Sequence, residues 1–197
     1  ERGLDISGTG VRNDFTQPEE AARTADVEHV IDWLPFASKL GAPVLRVFAG
    51  SELEGEADRE TATGWLVRAL RICAEHGGDH GVMIALQNHA EFLHTAEEVI
   101  GVLEAVDSEW LGLHCDIGSF TAEDPYADIR RAASHAVTWQ IKEHVRPGGE
   151  PEPTDLDRIV EIVRDVGYRG YLPLETLGGD PREKLPRFLD QMRTALA

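Results

Sequence analysis

The feature that most constrains the fold is a unit that repeats about six times along the 197-residue chain. Each unit has a short apolar segment, a turn and a longer amphipathic segment, which is the pattern of a β-strand followed by an α-helix. Strict alternation of this kind predicts a parallel sheet, either closed as a barrel or open with helices on both faces. The predicted strands are Leu4–Ser7, Val44–Phe48, Val82–His89, Leu111–Asp116, Val137–Lys142 and Tyr171–Glu175. The predicted helices are Pro18–Leu40, Arg59–His76, Ala96–Val106, Pro125–His135, Asp155–Val166 and Arg182–Leu196.

The alternating residues of each predicted strand distinguish the two arrangements. Alternate side chains face opposite sides of a sheet, and an open sheet covered by helices on both faces is apolar on both. In the fourth strand, Leu111 and Leu113 lie in an apolar row, whereas His114 and Asp116 lie in the other row. This second row becomes polar toward the C-terminal end of each strand, as in a barrel whose interior opens at an active-site mouth. The sequence therefore predicts an α/β fold of the (β/α)8 TIM-barrel class.

The number of units predicts that the barrel is incomplete. A whole barrel of this class contains about 250 residues, and six units leave two unaccounted for. Six tilted strands do not close, and their outer edges would be open to pairing with other chains. Glu1 is not an initiator methionine. We therefore expect residues 1–197 to form a single, N-terminally truncated domain, with two further β/α units upstream.

Composition argues against several classes of partner and location. The formal net charge is −17, and so acidic a surface repels nucleic acids and anionic membranes. No apolar run approaches the roughly 18–20 residues that span a bilayer, and the N-terminus has no signal-peptide pattern. The two cysteines, Cys73 and Cys115, lie on separate predicted elements. We expect no disulfide framework and a cytoplasmic location.

Polar side chains of the inward row lie at the ends of four consecutive predicted strands. They are Gln87, His89, Asp116, Gln140, Lys142 and Glu175. Because these strand ends meet at one mouth of a barrel, their oxygen and imidazole donors suit a divalent cation such as Mg²⁺, Mn²⁺, Co²⁺ or Zn²⁺. A single strand-end Asp or Gln more often caps a turn, but four strands in one phase favour a shared ligand.

Three further assignments each have a structural alternative. Arg46 lies in the inward row, which suits contact with an anionic ligand group or an ion pair with a buried carboxylate. His144 lies in the loop after the fifth strand, where it either covers a substrate or is solvated. His89 either stabilises a turn or contacts the substrate.

Five segments of the chain resemble a known family. They are Gly41–Gly50 (GAPVLRVFAG), Ile84–Val99 (IALQNHAEFLHTAEEV), Gly112–Phe120 (GLHCDIGSF), Trp139–Val145 (WQIKEHV) and Gly170–Gly178 (GYLPLETLG). Their order and spacing resemble the sugar phosphate isomerase/epimerase branch of the xylose isomerase-like superfamily, from its third strand to its eighth helix. The resemblance implies strands three to eight of a TIM barrel that acts on a sugar.

The resemblance also implies a metal site, with two departures. In that family a divalent ion is typically held by Glu, Asp, His and Glu on four successive strands. Asp116 and Glu175 match the second and fourth positions, whereas Gln87 and Gln140 replace the first and third. Both amides keep an oxygen that can coordinate metal. The implied site is weaker than the family's and better suited to Mn²⁺ or Mg²⁺ than to Zn²⁺.

The resemblance further implies the roles of the remaining residues. The ion stabilises the ene-diolate that forms when a proton next to a carbonyl is removed, and Glu175 moves that proton. The second carboxylate base of a two-base epimerase is missing, so His89 and Lys142 are the available substitutes. Arg46 and His144, together with His89 and Lys142, are the candidate substrate-binding residues.

The leading interpretation is an isomerase or epimerase of a sugar or sugar phosphate that works by metal-assisted proton transfer. A lyase or dehydratase acting on a keto-sugar or inosose would use the same site and needs no pair of opposed carboxylates. A third alternative is a non-catalytic sugar-binding relative. An abasic-site endonuclease is disfavoured by the net charge and by the lack of the many histidines that a three-zinc cluster requires. The expected partner is a small sugar or polyol, and a homo-oligomer is compatible with the sequence.

Overall fold

The computed structural model describes residues 3–51, 58–89 and 92–197, and strands and helices alternate within these ranges. The strands are β1 (Thr9–Gly10), β2 (Val44–Phe48), β3 (Met83–Gln87), β4 (Leu111–Asp116), β5 (Ala136–Lys142), β6 (His144–Val145), β7 (Glu152–Pro153) and β8 (Leu174–Glu175). The helices are α1 (Glu20–Leu40), α2 (Arg59–His80), α3 (Ala96–Val106), α4 (Pro125–Ala132), α5 (Leu156–Asp165) and α6 (Pro181–Leu196). No helix in these ranges is both long enough and apolar enough to cross a membrane.

The main sheet is parallel, with the strand order β1-β2-β3-β4-β5-β8 among the described residues. β6 and β7 pair separately as a short antiparallel ribbon between β5 and α5. The sheet is curled, which brings its two edge strands near each other: Gly10 of β1, Arg46 of β2 and Leu174 of β8 line one cavity on its inner side. This half-barrel confirms the predicted α/β class and the incomplete (β/α)8 architecture.

The hydrophobic core lies between the outer row of the sheet and the helices. Leu86, Leu113 and Trp139 are fully buried there, in the same cluster as Leu70 of α2 and Ile159 of α5. Full burial of one such side chain contributes about 1.5–3 kcal/mol. Because apolar residues fill the outer row, the inner row is left to carry the polar side chains.

The first predicted strand is wrong. Residues 4–7 have no strand conformation, and the first strand is Thr9–Gly10. Leu4 is 83% exposed and Ile6 is also exposed, so their alternation does not mark a buried face. Pairing with β2 begins only where Thr9 lies opposite Leu45. Two alternating apolar residues without a partner strand are therefore not enough to form a strand.

The C-terminal end of α2 also differs from the prediction. The helix was predicted to end at His76, but it continues to His80 and is ended by Gly81 at φ 65°. Gly77 instead allows a close approach, since a Cβ atom there would lie 2.6 Å from the Val82 carbonyl oxygen. The glycine lets α2 pack directly against the start of β3.

Candidate functional site

Parallel pairing brings the predicted polar residues to one end of the half-barrel. Asp116 of β4 lies opposite Gln140 of β5, and Lys142 of β5 lies opposite Glu175 of β8. Gln87 ends β3, the neighbour of β4 on the other side. The side chains face inward, and hydrogen bonds link all five into one network.

Asp116 is the buried centre of this network, and its side chain is 0% exposed. Its Oδ2 atom accepts hydrogen bonds from Gln87 Nε2 at 2.8 Å, Ser119 Oγ at 2.8 Å and Lys142 Nζ at 2.7 Å. Its Oδ1 atom accepts from the Gly118 main-chain N–H at 3.0 Å. Each carboxylate oxygen offers about two lone-pair positions, so the three donors fill Oδ2, whereas Oδ1 accepts one hydrogen bond.

The two glutamines are oriented by their partners. Gln87 Nε2 donates to Asp116 and also to Gln140 Oε1, at 3.0 Å. Gln140 Nε2 donates to Glu175 Oε2 at 2.6 Å. Since an ionised carboxylate only accepts hydrogen bonds, each amide must turn its nitrogen toward its carboxylate. The sequence-based expectation that the amide oxygens face the same centre as the carboxylates is therefore not met.

His114 fixes the remaining oxygen of this chain. Its Nε2 atom lies 2.9 Å from Gln140 Oε1, which is an acceptor, so Nε2 carries the proton. Burial lowers the pKa of His114, an effect only partly opposed by its bond to Gln140 and by the nearby Asp116. A neutral His114 is thus held as a donor, and Gln140 Oε1 is occupied by two N–H groups.

Lys142 lies between the two carboxylates. Its ammonium contacts Asp116 Oδ2 at 2.7 Å and Glu175 Oε2 at 3.5 Å, and the side chain is 14% exposed. An ammonium has three N–H donors, and Lys142 also lines the cavity at the mouth. Lys142 can therefore pair with both carboxylates while its ammonium also faces the cavity.

Glu175 is the accessible carboxylate of the pair. Its side chain is 36% exposed, compared with 0% for Asp116. A general base must reach the proton that it removes, which Glu175 can do from the cavity and the enclosed Asp116 cannot.

The cavity beside these residues has a volume of about 400 Å³ and is lined by His89, Lys142, His144 and Glu175, among others. Pockets for small ligands in proteins have volumes of roughly 300–1,000 Å³. The His89 ring packs edge-on against Phe48 at 5.3 Å between centroids, and His144 is exposed on β6. The structure thus brings four of the predicted catalytic and substrate-binding residues to one cavity.

Arg46 lies deeper in the half-barrel, in a second cavity that also contains Gln140 and Glu175. Its guanidinium donates to the Val11 carbonyl oxygen at 2.8 Å and stacks on the Phe48 ring at 4.1 Å. Burial, together with the charge of Arg12, lowers the Arg46 pKa, although Glu175 opposes this shift. Among the described residues no carboxylate forms an ion pair with Arg46 within 4 Å, which differs from the expected structural ion pair.

Two residues that support the site were missed by sequence reasoning. Asn88 is fully buried and exchanges two hydrogen bonds with the main chain of Asp116, at 2.8 and 2.9 Å. Asn88 directly follows β3, in the same outward-facing row as Ile84 and Leu86. A polar residue in this otherwise apolar row was the sequence signal that could have indicated its role. Ser119 donates to Asp116 from the turn after β4, and no spacing in the sequence indicates this contact.

The predicted metal ligands, Gln87, Asp116, Gln140 and Glu175, do not fit a divalent ion in the arrangement observed. Asp116 is fully buried with its Oδ2 atom filled by three donors, and both amides turn nitrogen rather than oxygen toward the carboxylates. A cation, the Lys142 ammonium, already contacts both carboxylates. Within residues 3–51, 58–89 and 92–197, no group of three or more His, Cys, Asp or Glu side chains is arranged to hold a metal ion.

Comparison with known proteins identifies a family and several similar folds. The family model described as xylose isomerase-like TIM barrel matches residues 1–194. No curated protein matches the chain significantly. The D-psicose 3-epimerase of Clostridium cellulolyticum H10, solved with D-tagatose, is 17% identical with a TM-score of 0.80, over 96% of this chain and 78% of that one.

Two further solved structures are similar over nearly the whole chain. The 3-keto-D-glucoside 4-epimerase of E. coli is 14% identical with a TM-score of 0.81, over 98% of this chain and 80% of that one. A xylose isomerase-like TIM barrel protein from Mycobacterium smegmatis, in complex with magnesium, is 18% identical with a TM-score of 0.72, over 99% and 75% respectively. At such identities the likeness establishes the fold.

Proposed function

The chain belongs to the xylose isomerase-like TIM barrel family, and on that basis we propose that it is an isomerase or epimerase of a sugar or sugar derivative. The reaction transfers a proton at the carbon next to a carbonyl. Solved structures of the same fold include sugar epimerases, which supports this substrate class.

The observation that carries the proposal is the pairing of Glu175 with Lys142 at the cavity. Glu175 is the exposed carboxylate and acts as the base that removes the proton. Loss of the proton places negative charge on the carbonyl oxygen of the resulting ene-diolate. The Lys142 ammonium, 3.5 Å from Glu175, lies where it stabilises that charge by electrostatic attraction and a hydrogen bond.

His89 and His144 complete the proposed site from the cavity walls. His89 is the proposed second proton-transfer group, which returns a proton to the ene-diolate from the side of β3. His144 lines the same cavity as His89 and is proposed to bind substrate hydroxyl groups. Arg46 is proposed to contact the substrate end that reaches into the second cavity, beside Glu175.

One observation favours a lyase or dehydratase as the second candidate. The four donors on Asp116 leave Glu175 as the accessible carboxylate of the network. Elimination of water needs one base and one acid rather than two opposed carboxylates. Glu175 and His89 would supply that pair.

Product analysis with a panel of keto-sugars and their phosphates tests the proposal. An isomerase or epimerase converts at least one member into a product of unchanged mass, whereas a dehydratase gives a product lighter by one water. Loss of general-base catalysis in Glu175→Gln should lower kcat by about 10²–10⁴-fold. Glu183→Gln on the exposed surface of α6 is the matched control and should keep full activity. Unchanged turnover in Glu175→Gln would remove this residue from the mechanism.

A further inference from the structure

We propose that the Lys142 ammonium takes the place of the divalent ion in this chain, so that the site carries a built-in monovalent cation and does not bind a metal. The occupation of the cation position follows from the contacts alone. The part that Lys142 plays in catalysis rests on the proposed function.

The buried Asp116 carboxylate has no free lone pair on its Oδ2 atom for a metal ion. A metal ligand must offer a lone pair to the ion. In Asp116, the Oδ2 atom accepts from a hydroxyl, an amide and the Lys142 ammonium, and the Oδ1 atom accepts from a main-chain N–H. A divalent ion that binds Oδ2 would have to displace Lys142, because the hydroxyl of Ser119 is held by the turn after β4 and the amide of Gln87 by β3.

The two glutamines also stabilise the arrangement without metal. Gln87 and Gln140 form a continuous chain of donors and acceptors that runs from Asp116 to Glu175. Turning either amide oxygen toward an ion would place an N–H group away from its carboxylate. In Gln140 it would also bring the Nε2 group against the His114 Nε2–H, which now donates to Gln140 Oε1.

The net charge of the cluster also disfavours a divalent ion. Two carboxylates and one ammonium leave this cluster with a single negative charge. A divalent ion placed between the carboxylates would lie next to the ammonium, at a distance where like charges repel strongly in a partly buried site. With neutral amides at positions 87 and 140, this chain lacks the further negative charge that would offset the repulsion.

The consequence for chemistry is a change in the kind of electrophile. A metal ion polarises a carbonyl as a Lewis acid, whereas an ammonium does so through its charge and a directed hydrogen bond. Among the residues that the structure describes, Lys142 has two carboxylate partners, which leaves a third N–H of its ammonium, and the residue lines the cavity. A substrate carbonyl that enters beside Glu175 would therefore meet the ammonium directly.

Calorimetric titration of Mn²⁺ into the protein and three variants tests the inference. Wild type should show no saturable binding up to about 1 mM Mn²⁺, the weak end of specific affinities. Gln87→Glu, which adds a carboxylate but keeps Lys142, should gain little affinity, because the ammonium still occupies the cation position. The double variant Gln87→Glu/Lys142→Met should bind Mn²⁺ at least about tenfold tighter than either, a difference of about 1.4 kcal/mol.

The remaining variant and a second readout keep the test decisive. Lys39→Met on the exposed surface of α1 is the control for removal of a lysine elsewhere and should behave as wild type. Thermal unfolding of each variant, with and without Mn²⁺, shows whether the protein is folded, and only a bound ion raises its Tm. Saturable Mn²⁺ binding by wild type, or equal binding by Gln87→Glu and the double variant, would overturn the inference.

These outcomes are independent of the proposed function. A wild-type protein that binds no Mn²⁺ but turns over no sugar leaves the cation assignment intact and refutes the isomerase. A protein that isomerises a sugar and loses that activity in EDTA leaves the isomerase intact and refutes the built-in cation.

Discussion

At the scale of single residues, the site is a partly buried network of two amides, two carboxylates and one ammonium. The phase of each strand placed Gln87, Asp116, Gln140 and Glu175 on one side of the sheet, and they do share one network. Which end of an amide faces a carboxylate is decided by neighbours distant in sequence. Lys142, 26 residues from Asp116 in sequence, is one such neighbour, and its ammonium contacts the Asp116 carboxylate.

Asn88 gives a residue-scale prediction about stability. Its side chain joins β3 to β4 through two hydrogen bonds to the Asp116 main chain, and it is fully buried. Asn88→Ala leaves the buried Asp116 N–H unpaired, at a cost of about 1–3 kcal/mol, whereas the Asp116 carbonyl keeps its bond from the Ser119 N–H. Urea unfolding should therefore show a loss of roughly 1–3 kcal/mol.

The exposed Gln191→Ala on α6 is the control for Asn88→Ala and should change the free energy of unfolding by less than about 0.5 kcal/mol. A similarly small change in Asn88→Ala would show that water or a rearranged turn provides a hydrogen-bond partner for the Asp116 N–H. Asn88 would then not be a support of the site.

At the scale of elements, local signals predicted some boundaries and pairing set the others. Helix Ala96–Val106 was predicted at its observed bounds, because Thr95 and Glu98 form a reciprocal capping box there. Strand Leu111–Asp116 was also predicted at its observed bounds. β1 and β8 lie at the edges of the sheet and have only two residues each. Their lengths depend on the neighbouring strand, which no local pattern contains.

Two helical glycines give an element-scale prediction with opposite signs. A Cβ atom on Gly77 would lie 2.6 Å from the Val82 carbonyl oxygen, whereas one on Gly101 of α3 would meet no atom within 4 Å. Gly77→Ala should therefore push α2 away from β3 and destabilise the protein by about 1–3 kcal/mol. Gly101→Ala should stabilise it by about 0.5–1 kcal/mol, since alanine favours the helix.

The free energies of unfolding of the two glycine variants, measured side by side in urea, decide this. Stabilisation by both alanines would mean that α2 is not packed against Val82 as closely as the structure shows.

At the scale of the whole molecule, the polar inner row was the signal that predicted a barrel rather than an open sheet. The half-barrel places Gln87, Asp116, Lys142 and Glu175 at one mouth because parallel strands present their C-terminal ends together. The cavity at this mouth could not be predicted, since its walls come from the turn after β4 and from the β6–β7 ribbon as well as from the sheet. The chemistry proposed for the molecule depends on that enclosure.

The central proposal is that Glu175 removes a proton next to a sugar carbonyl while Lys142 stabilises the ene-diolate, without a metal ion. The most direct measurement is proton NMR of the keto-sugar panel incubated with the protein in D₂O containing excess EDTA. Deuterium should be incorporated at the carbon next to the carbonyl of one sugar, in both substrate and product. The rate of incorporation should be the same with and without EDTA. Deuterium exchange that appears only when Mn²⁺ or Mg²⁺ is added would contradict the proposed metal-free mechanism. Isomerisation that depends on Glu175 but incorporates no deuterium would also contradict it.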